Sequence, residues 1–270
     1  MASETTQTEQ AAVETEKEPD PDTETLRELT IRARVVLWDF DGPICRLFAG
    51  HAAEDVAVEL TDWLEGHGPS GLLTRAERES LDPHVVLRAV DRRLPGSELA
   101  VELEERLTRE ELRAAESAMP TGYADILIQT WTAAGVRLAI ATNNSARAVL
   151  TYLASRELVQ CFGRHVYGRT QDLHLLKPDP DTLERALEAL RTPASAALFI
   201  GDTPSDVQAA REAGVAFVGY ARNERKAKLL REAGAEHVVS SLSLLLEVVR
   251  GRALEDAERV VSCTGPRRPE

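Results

Sequence analysis

Several things are scarce in this 270-residue chain, and each scarcity excludes something. There are only three cysteines, Cys45, Cys161 and Cys263, far apart and with no Cys-x-x-Cys pair. That excludes a disulfide framework and a structural zinc knuckle, and predicts free thiols in a reducing cytoplasm. No apolar run approaches the roughly 20 residues that a membrane-crossing helix needs, so no membrane partner is expected. The N-terminus has neither a basic start nor an apolar signal core, so secretion is not indicated. Positive charge is short: 32 Lys and Arg stand against 45 Asp and Glu, a net charge of -13. An acidic surface argues against nucleic acid as the partner, although a local pocket can still be positive. Aromatic residues are 4% of the chain, yet hydrophobic residues total 43%, enough for one sizeable core or two modest ones.

What is present centres on Val35-Val36-Leu37-Trp38-Asp39-Phe40-Asp41-Gly42. The continuous apolar run suits a strand buried on both faces. Two carboxylates at i and i+2 then point the same way and converge at the strand end. Converging acids repel unless a cation or a proton sits between them. Taken alone, the pair reads equally well as an acidic turn capping a strand.

The rest of the chain alternates in type. Residues 1–29 are rich in Glu, Thr, Asp and Pro and are expected to be a disordered acidic tail. From Arg46 to Ala118 the spacing is helical throughout, with Val56, Leu60 and Leu64, then Val86, Ala89 and Val90, then Leu103 and Leu107. Further strands are predicted at Val136–Thr142, His165–Tyr167, Ala196–Ile200, Val215–Gly219 and His237–Val239, with helices between them. The tail from Gly251 is expected to be loose. The domain plan is therefore an α/β core over 30–45 and 119–250, an all-helical insertion over 46–118, and two tails at 1–29 and 251–270.

Short apolar strands alternating with helices make a parallel sheet covered on both faces, and such sheets bind ligands at their carboxyl ends. The polar residues at three strand ends are Asp39 with Asp41, Thr142 with Asn143, and Asp202, with Asp206 one helical turn further on. Hard oxygen ligands suit magnesium. Lys177 in Leu176-Lys177-Pro178 adds a cation, and Asn143-Asn144-Ser145 opens a helix whose N–H groups favour anions. Together these make a plausible clamp for a phosphoryl group.

Four motifs in this order resemble the haloacid dehalogenase (HAD) superfamily: Asp39-Phe40-Asp41-Gly42, Thr142-Asn143, Lys177-Pro178 and Gly201-Asp202-Thr203-Pro204-Ser205-Asp206. The resemblance covers roughly residues 33–250 and implies a Rossmann-like core with a helical cap. It implies Asp39 as the nucleophile that forms an aspartyl-phosphate, and Asp41 as general acid and then base. It further implies that Thr142 holds the phosphoryl group and that Lys177 steadies the charge. Magnesium would be bound by Asp39, the Asp41 carbonyl and Asp202, with Asp206 as an outer or water-mediated ligand. Pro43 departs from the Thr or Val often found after the Asp-Gly.

Asp41 argues against dehalogenation, which has no leaving oxygen to protonate. The absence of lysine between Arg46 and Ala118 argues against a Schiff base in the cap. The expected activity is a magnesium-dependent phosphatase for a small phosphorylated metabolite, resembling the phosphoglycolate phosphatases, from a monomer or homodimer. Alternatives are a sugar phosphomutase, which His51 in the cap hinge would support, and a non-catalytic module that binds phosphorylated ligands. Thr142 and Asn143 are the expected substrate contacts on the core and Arg46 and His51 those on the cap side, with Arg75, Arg88, Arg92 and Arg93 as further candidates.

Overall fold

The computed structural model describes residues 21–252. It begins with helix α1, Pro21–Arg32. Residues 21–29, expected to belong to a disordered tail, are thus helical. The reason is spacing: Leu26, Leu29 and Ala33 lie on one helical face, and Leu26 is 4% exposed within the main core cluster. Strand β1, Val35–Trp38, is buried at every position. Val36 and Trp38 join the core on one side of the sheet, while Val35 and Leu37 join that on the other. This is why the run carries no polar alternation.

Strand β2, Cys45–Arg46, leads to helices α2 (Ala53–His67), α3 (Arg75–Arg78), α4 (Pro83–Arg93) and α5 (Glu98–Ser117), and the chain returns through β3, Met119–Pro120. The helices pack around a cluster of their own that includes Val56, Leu60, Val86, Val90, Leu103 and Leu107. Asp82 and Ser97 cap α4 and α5 by accepting backbone N–H bonds, and Thr74 and Glu77 close a capping box on α3. Two-residue strands are too short to show a period, so the antiparallel β2–β3 neck was not foreseen. Helix α5 crosses between cores: Leu103 and Leu107 pack in the helical cluster, Ala114 and Ala115 in the main one.

The remaining elements are α6 (Ala124–Ala133), β4 (Arg137–Ser145), α7 (Ala146–Ser155), α8 (Val159–Phe162), β5 (Val166–Arg169) and α9 (Asp181–Ala189). Then follow β6 (Ala197–Gly201), α10 (Pro204–Glu212), β7 (Ala216–Tyr220), α11 (Glu224–Glu232) and β8 (His237–Val239). All neighbours in the six-stranded sheet β5-β4-β1-β6-β7-β8 are parallel. The fold is the expected α/β type. Helix also runs from 243 to 252, so the first two residues of the expected C-terminal tail are helical, and the rest of both tails lies outside the described residues. Among the described residues no helix is long and apolar enough to cross a membrane.

Candidate active site

Because β1 lies between β4 and β6, its carboxyl end brings three distant segments together. Asp39 leaves β1 with its N–H still bonded to the Ile200 carbonyl of β6, at 2.8 Å. Gly42 then turns the chain at φ 118°, where a Cβ would lie 2.3 Å from the Asp202 carboxylate. Only glycine permits both that backbone conformation and that approach.

Lys177 is fully buried and its ammonium has three partners: Asp39 Oδ1 at 2.8 Å, the Ala141 carbonyl at 3.0 Å and Asp206 Oδ1 at 2.6 Å. The first two are hydrogen bonds, and the third is an ion-pair contact to an Asp206 oxygen that accepts no hydrogen bond. Burial works against the charge, but Asp206 and Asp39 outweigh it and raise the lysine's pKa. Asp206 also accepts N–H bonds from Asp202 and Thr203, so it holds the turn after β6 as well as the lysine. Asn143, expected to contact substrate, instead grips Lys177: its Oδ1 accepts the Lys177 N–H at 2.7 Å and its Nδ2 donates to the Lys177 carbonyl at 3.2 Å. The N–H of Ser145, expected to face an anion, is donated to Glu111.

Carboxylate oxygens of Asp39, Asp202 and Asp206 lie within 4.8 Å of one another. Burial raises the pKa of Asp39, pushes Asp41 up to about 6 and pushes Asp202 up to about 8. Asp202 Oδ1 is buried without a hydrogen-bond partner, while Oδ2 contacts the Lys226 ammonium. Buried acids with an orphaned oxygen fit a divalent cation, which would keep them ionised. Asp41 stands apart, its Oδ1 accepting the Leu47 N–H at 2.8 Å. A cavity of about 570 Å³ above the cluster is lined by Asp39, Asp41, His84, Arg88, Thr142 and Lys177.

The cap-side expectations divide. Arg46 lines an adjoining cavity with Asp41, Asp202 and Lys226. His51 is not brought to the cluster: its Nε2 lies 2.9 Å from Glu110 on α5. Arg75 pairs with Glu79, and Arg92 and Arg93 with Glu77, whereas Arg88 donates to the Lys177 carbonyl at 2.6 Å. Sequence reasoning passed over His84, whose Nε2 reaches from the start of α4 to within 3.2 Å of the Asn143 carbonyl. It also passed over Glu111, Arg169 and Lys226. The one signal for His84 was its place just after the Asp82-Pro83 helix start.

The family model for haloacid dehalogenase-like hydrolases matches residues 33–214. Phosphoglycolate phosphatase of Pseudomonas savastanoi pv. phaseolicola is 36% identical over 112 residues, 42% of this chain and 40% of that protein. Phosphoglycolate phosphatase of Rhodobacter capsulatus is 35% identical over 115 residues, 42% of this chain and 51% of that one. The chain thus spans about half the length, or less, of these two curated relatives. Among solved structures, CbbY from Rhodobacter sphaeroides in complex with phosphate superposes with TM-score 0.57 at 19% identity, over 77% of this chain and 94% of that one. A conserved haloacid dehalogenase-like protein from Agrobacterium tumefaciens gives TM-score 0.54 at 19% identity, over 82% and 99%. With well over half its length matched and four distant motifs gathered at one sheet edge, the chain belongs to the haloacid dehalogenase-like hydrolases.

Proposed function

We propose that this chain is a magnesium-dependent phosphatase that acts on a small phosphorylated metabolite and passes through an aspartyl-phosphate on Asp39. The observation that carries this reading is the Lys177 ammonium shared between Asp39 and Asp206. It favours an ionised Asp39 and ties down one of its two oxygens, leaving the other to attack. Magnesium held by Asp39, Asp202 and the Asp41 carbonyl would neutralise charge on the phosphoryl oxygens.

The chain's own groups do the rest. An Asp39 oxygen forms a bond to phosphorus as the bond from phosphorus to the leaving oxygen breaks. Asp41, raised to about 6, carries a proton into the neutral range and gives it to that oxygen. Lys177 and the Thr142 hydroxyl, its proton turned from Asn144 Oδ1, hold the phosphoryl oxygens. A water then attacks phosphorus, its proton passes to Asp41, and inorganic phosphate leaves with Asp39 restored. The small substrate is supported by the phosphoglycolate phosphatases to which the chain is similar and by the CbbY complexes with phosphate and with xylulose-1,5-bisphosphate.

The test is release of phosphate from a chromogenic aryl phosphate, with magnesium and with chelator, by wild type and Asp39→Asn. Turnover should need magnesium and fall to background in the variant. Equal rates for the two proteins would remove the mechanism. Phosphate binding without turnover in the wild type would favour the non-catalytic module.

A further inference from the structure

We propose that Glu111, on cap helix α5, is a positioning residue for Thr142 and acts through Asn144; this rests on the phosphatase reading above. Glu111 and Arg169 are both fully buried and face each other in a two-pronged pair, Nη1 to Oε1 at 2.9 Å and Nη2 to Oε2 at 3.0 Å. The other donors of Arg169 are also occupied: Nε by Glu104 at 2.9 Å, Nη1 by the Asn143 carbonyl at 2.8 Å and Nη2 by Thr108 at 2.9 Å. All five guanidinium N–H groups therefore have an acceptor. Glu111 is equally saturated. Each of its oxygens accepts a second bond, Oε1 from Asn144 Nδ2 at 3.0 Å and Oε2 from the Ser145 N–H at 2.9 Å.

A carboxylate with every lone-pair site filled cannot swivel. It dictates which end of the Asn144 amide points where. With Nδ2 given to Glu111, Asn144 Oδ1 faces Thr142 and accepts its hydroxyl at 3.0 Å, while the Asn144 N–H donates to the same hydroxyl at 3.2 Å. The Thr142 rotamer is held from both sides, in the cavity that Asp39 and Lys177 share. An amide free to flip would turn its NH2 toward Thr142 Oγ, where it would compete with the Asn144 N–H and move the hydroxyl from its place. A buried ion pair is poor evidence of stabilisation, because desolvation offsets the attraction. Its value here lies in geometry.

The test is steady-state kinetics on the aryl phosphate with saturating magnesium, for Glu111→Gln, Asn144→Ala, Thr142→Ala and the two double variants containing Thr142→Ala. Glu111→Gln must turn a nitrogen toward one of the donors, and Asn144→Ala removes the middle of the relay while leaving the Glu111–Arg169 pair whole. Each should lower kcat about tenfold to a hundredfold and move KM by no more than about threefold. In the Thr142→Ala background neither should lower kcat further, whereas a merely structural role would multiply the losses. Asn144→Ala keeps the test alive should Glu111→Gln fail to fold. An unchanged kcat in Asn144→Ala, or losses that multiply, overturns the relay while leaving the phosphatase reading intact. A wild type that binds inorganic phosphate without turning over refutes the phosphatase reading alone, and the same non-additivity is then sought in phosphate affinity. A wild type with neither property overturns both.

Discussion

Lys177 gathers acids from two ends of the sequence, since Asp39 lies 138 residues away. Its Nζ donates to Asp39 and to the Ala141 carbonyl and lies 2.6 Å from Asp206, so one cation serves both acids. Removing the charge in Lys177→Met leaves Asp39 and Asp206 facing each other without a counter-ion. Breaking a buried pair this way costs about 3–5 kcal/mol. The sign of the pH effect follows. Burial already raises the Asp39 pKa and Lys177 opposes it, so without the lysine Asp39 is tolerated when protonated and destabilises the fold as pH rises. Lys177→Met should therefore melt well below wild type at neutral pH, with the gap narrowing in acid. Denaturation at several pH values measures this, and a gap that widens in acid would contradict it.

At the scale of elements, side chains cap the N-termini of α3, α4 and α5, and α3, only four residues long, is the extreme case. Burial works against the Glu77 carboxylate, but the Thr74 N–H and hydroxyl and the Arg93 guanidinium outweigh it and hold its pKa at about 2. Stability from this group is fully present above the ordinary carboxylate value of 4.5 and is lost as pH falls toward 2. Glu77→Gln keeps an acceptor for the Thr74 N–H but loses the charge facing Arg93, and should cost about 1 kcal/mol at neutral pH. The difference from wild type should vanish in strong acid. Chemical denaturation of both proteins at the two extremes decides it.

For the whole molecule, the relevant property is the group of buried acids where a cation would be received. Asp41 at about 6 and Asp202 at about 8 are both raised by burial. Acids raised in the folded state contribute stability below their ordinary 3.8, and this is lost as pH climbs through the folded values. In chelator the protein should lose stability from this source between about pH 5 and about pH 8. Magnesium competes with those protons, so its stabilising increment should grow over the same range. Asp202→Asn should flatten that growth. Thermal melts with magnesium and with chelator at both pH values provide the measurement, and an equal increment at both would refute it.

Legibility from the sequence followed the range of the physics involved. Val35–Trp38 reads as a doubly buried strand because alternation, or its absence, is a local property. Asp39, Thr142 and Asp202 could be placed on one rim because parallel sheets present their carboxyl ends together. Helix α1 was missed because two leucines in an acidic stretch look too few, and only the core beneath them shows that Leu26 suffices. His51 and His84 are both histidines near a helix start in the same insertion. Only packing decided that one meets Glu110 and the other reaches Asn143. Glu111 and Arg169, 58 residues apart, belong to no shared period or motif. Local pattern and ordered motifs alone therefore determined the sheet, its carboxyl edge and the acids upon it. Tertiary structure decided which charges meet, because a buried hydrogen bond depends on distances that no spacing along the chain encodes.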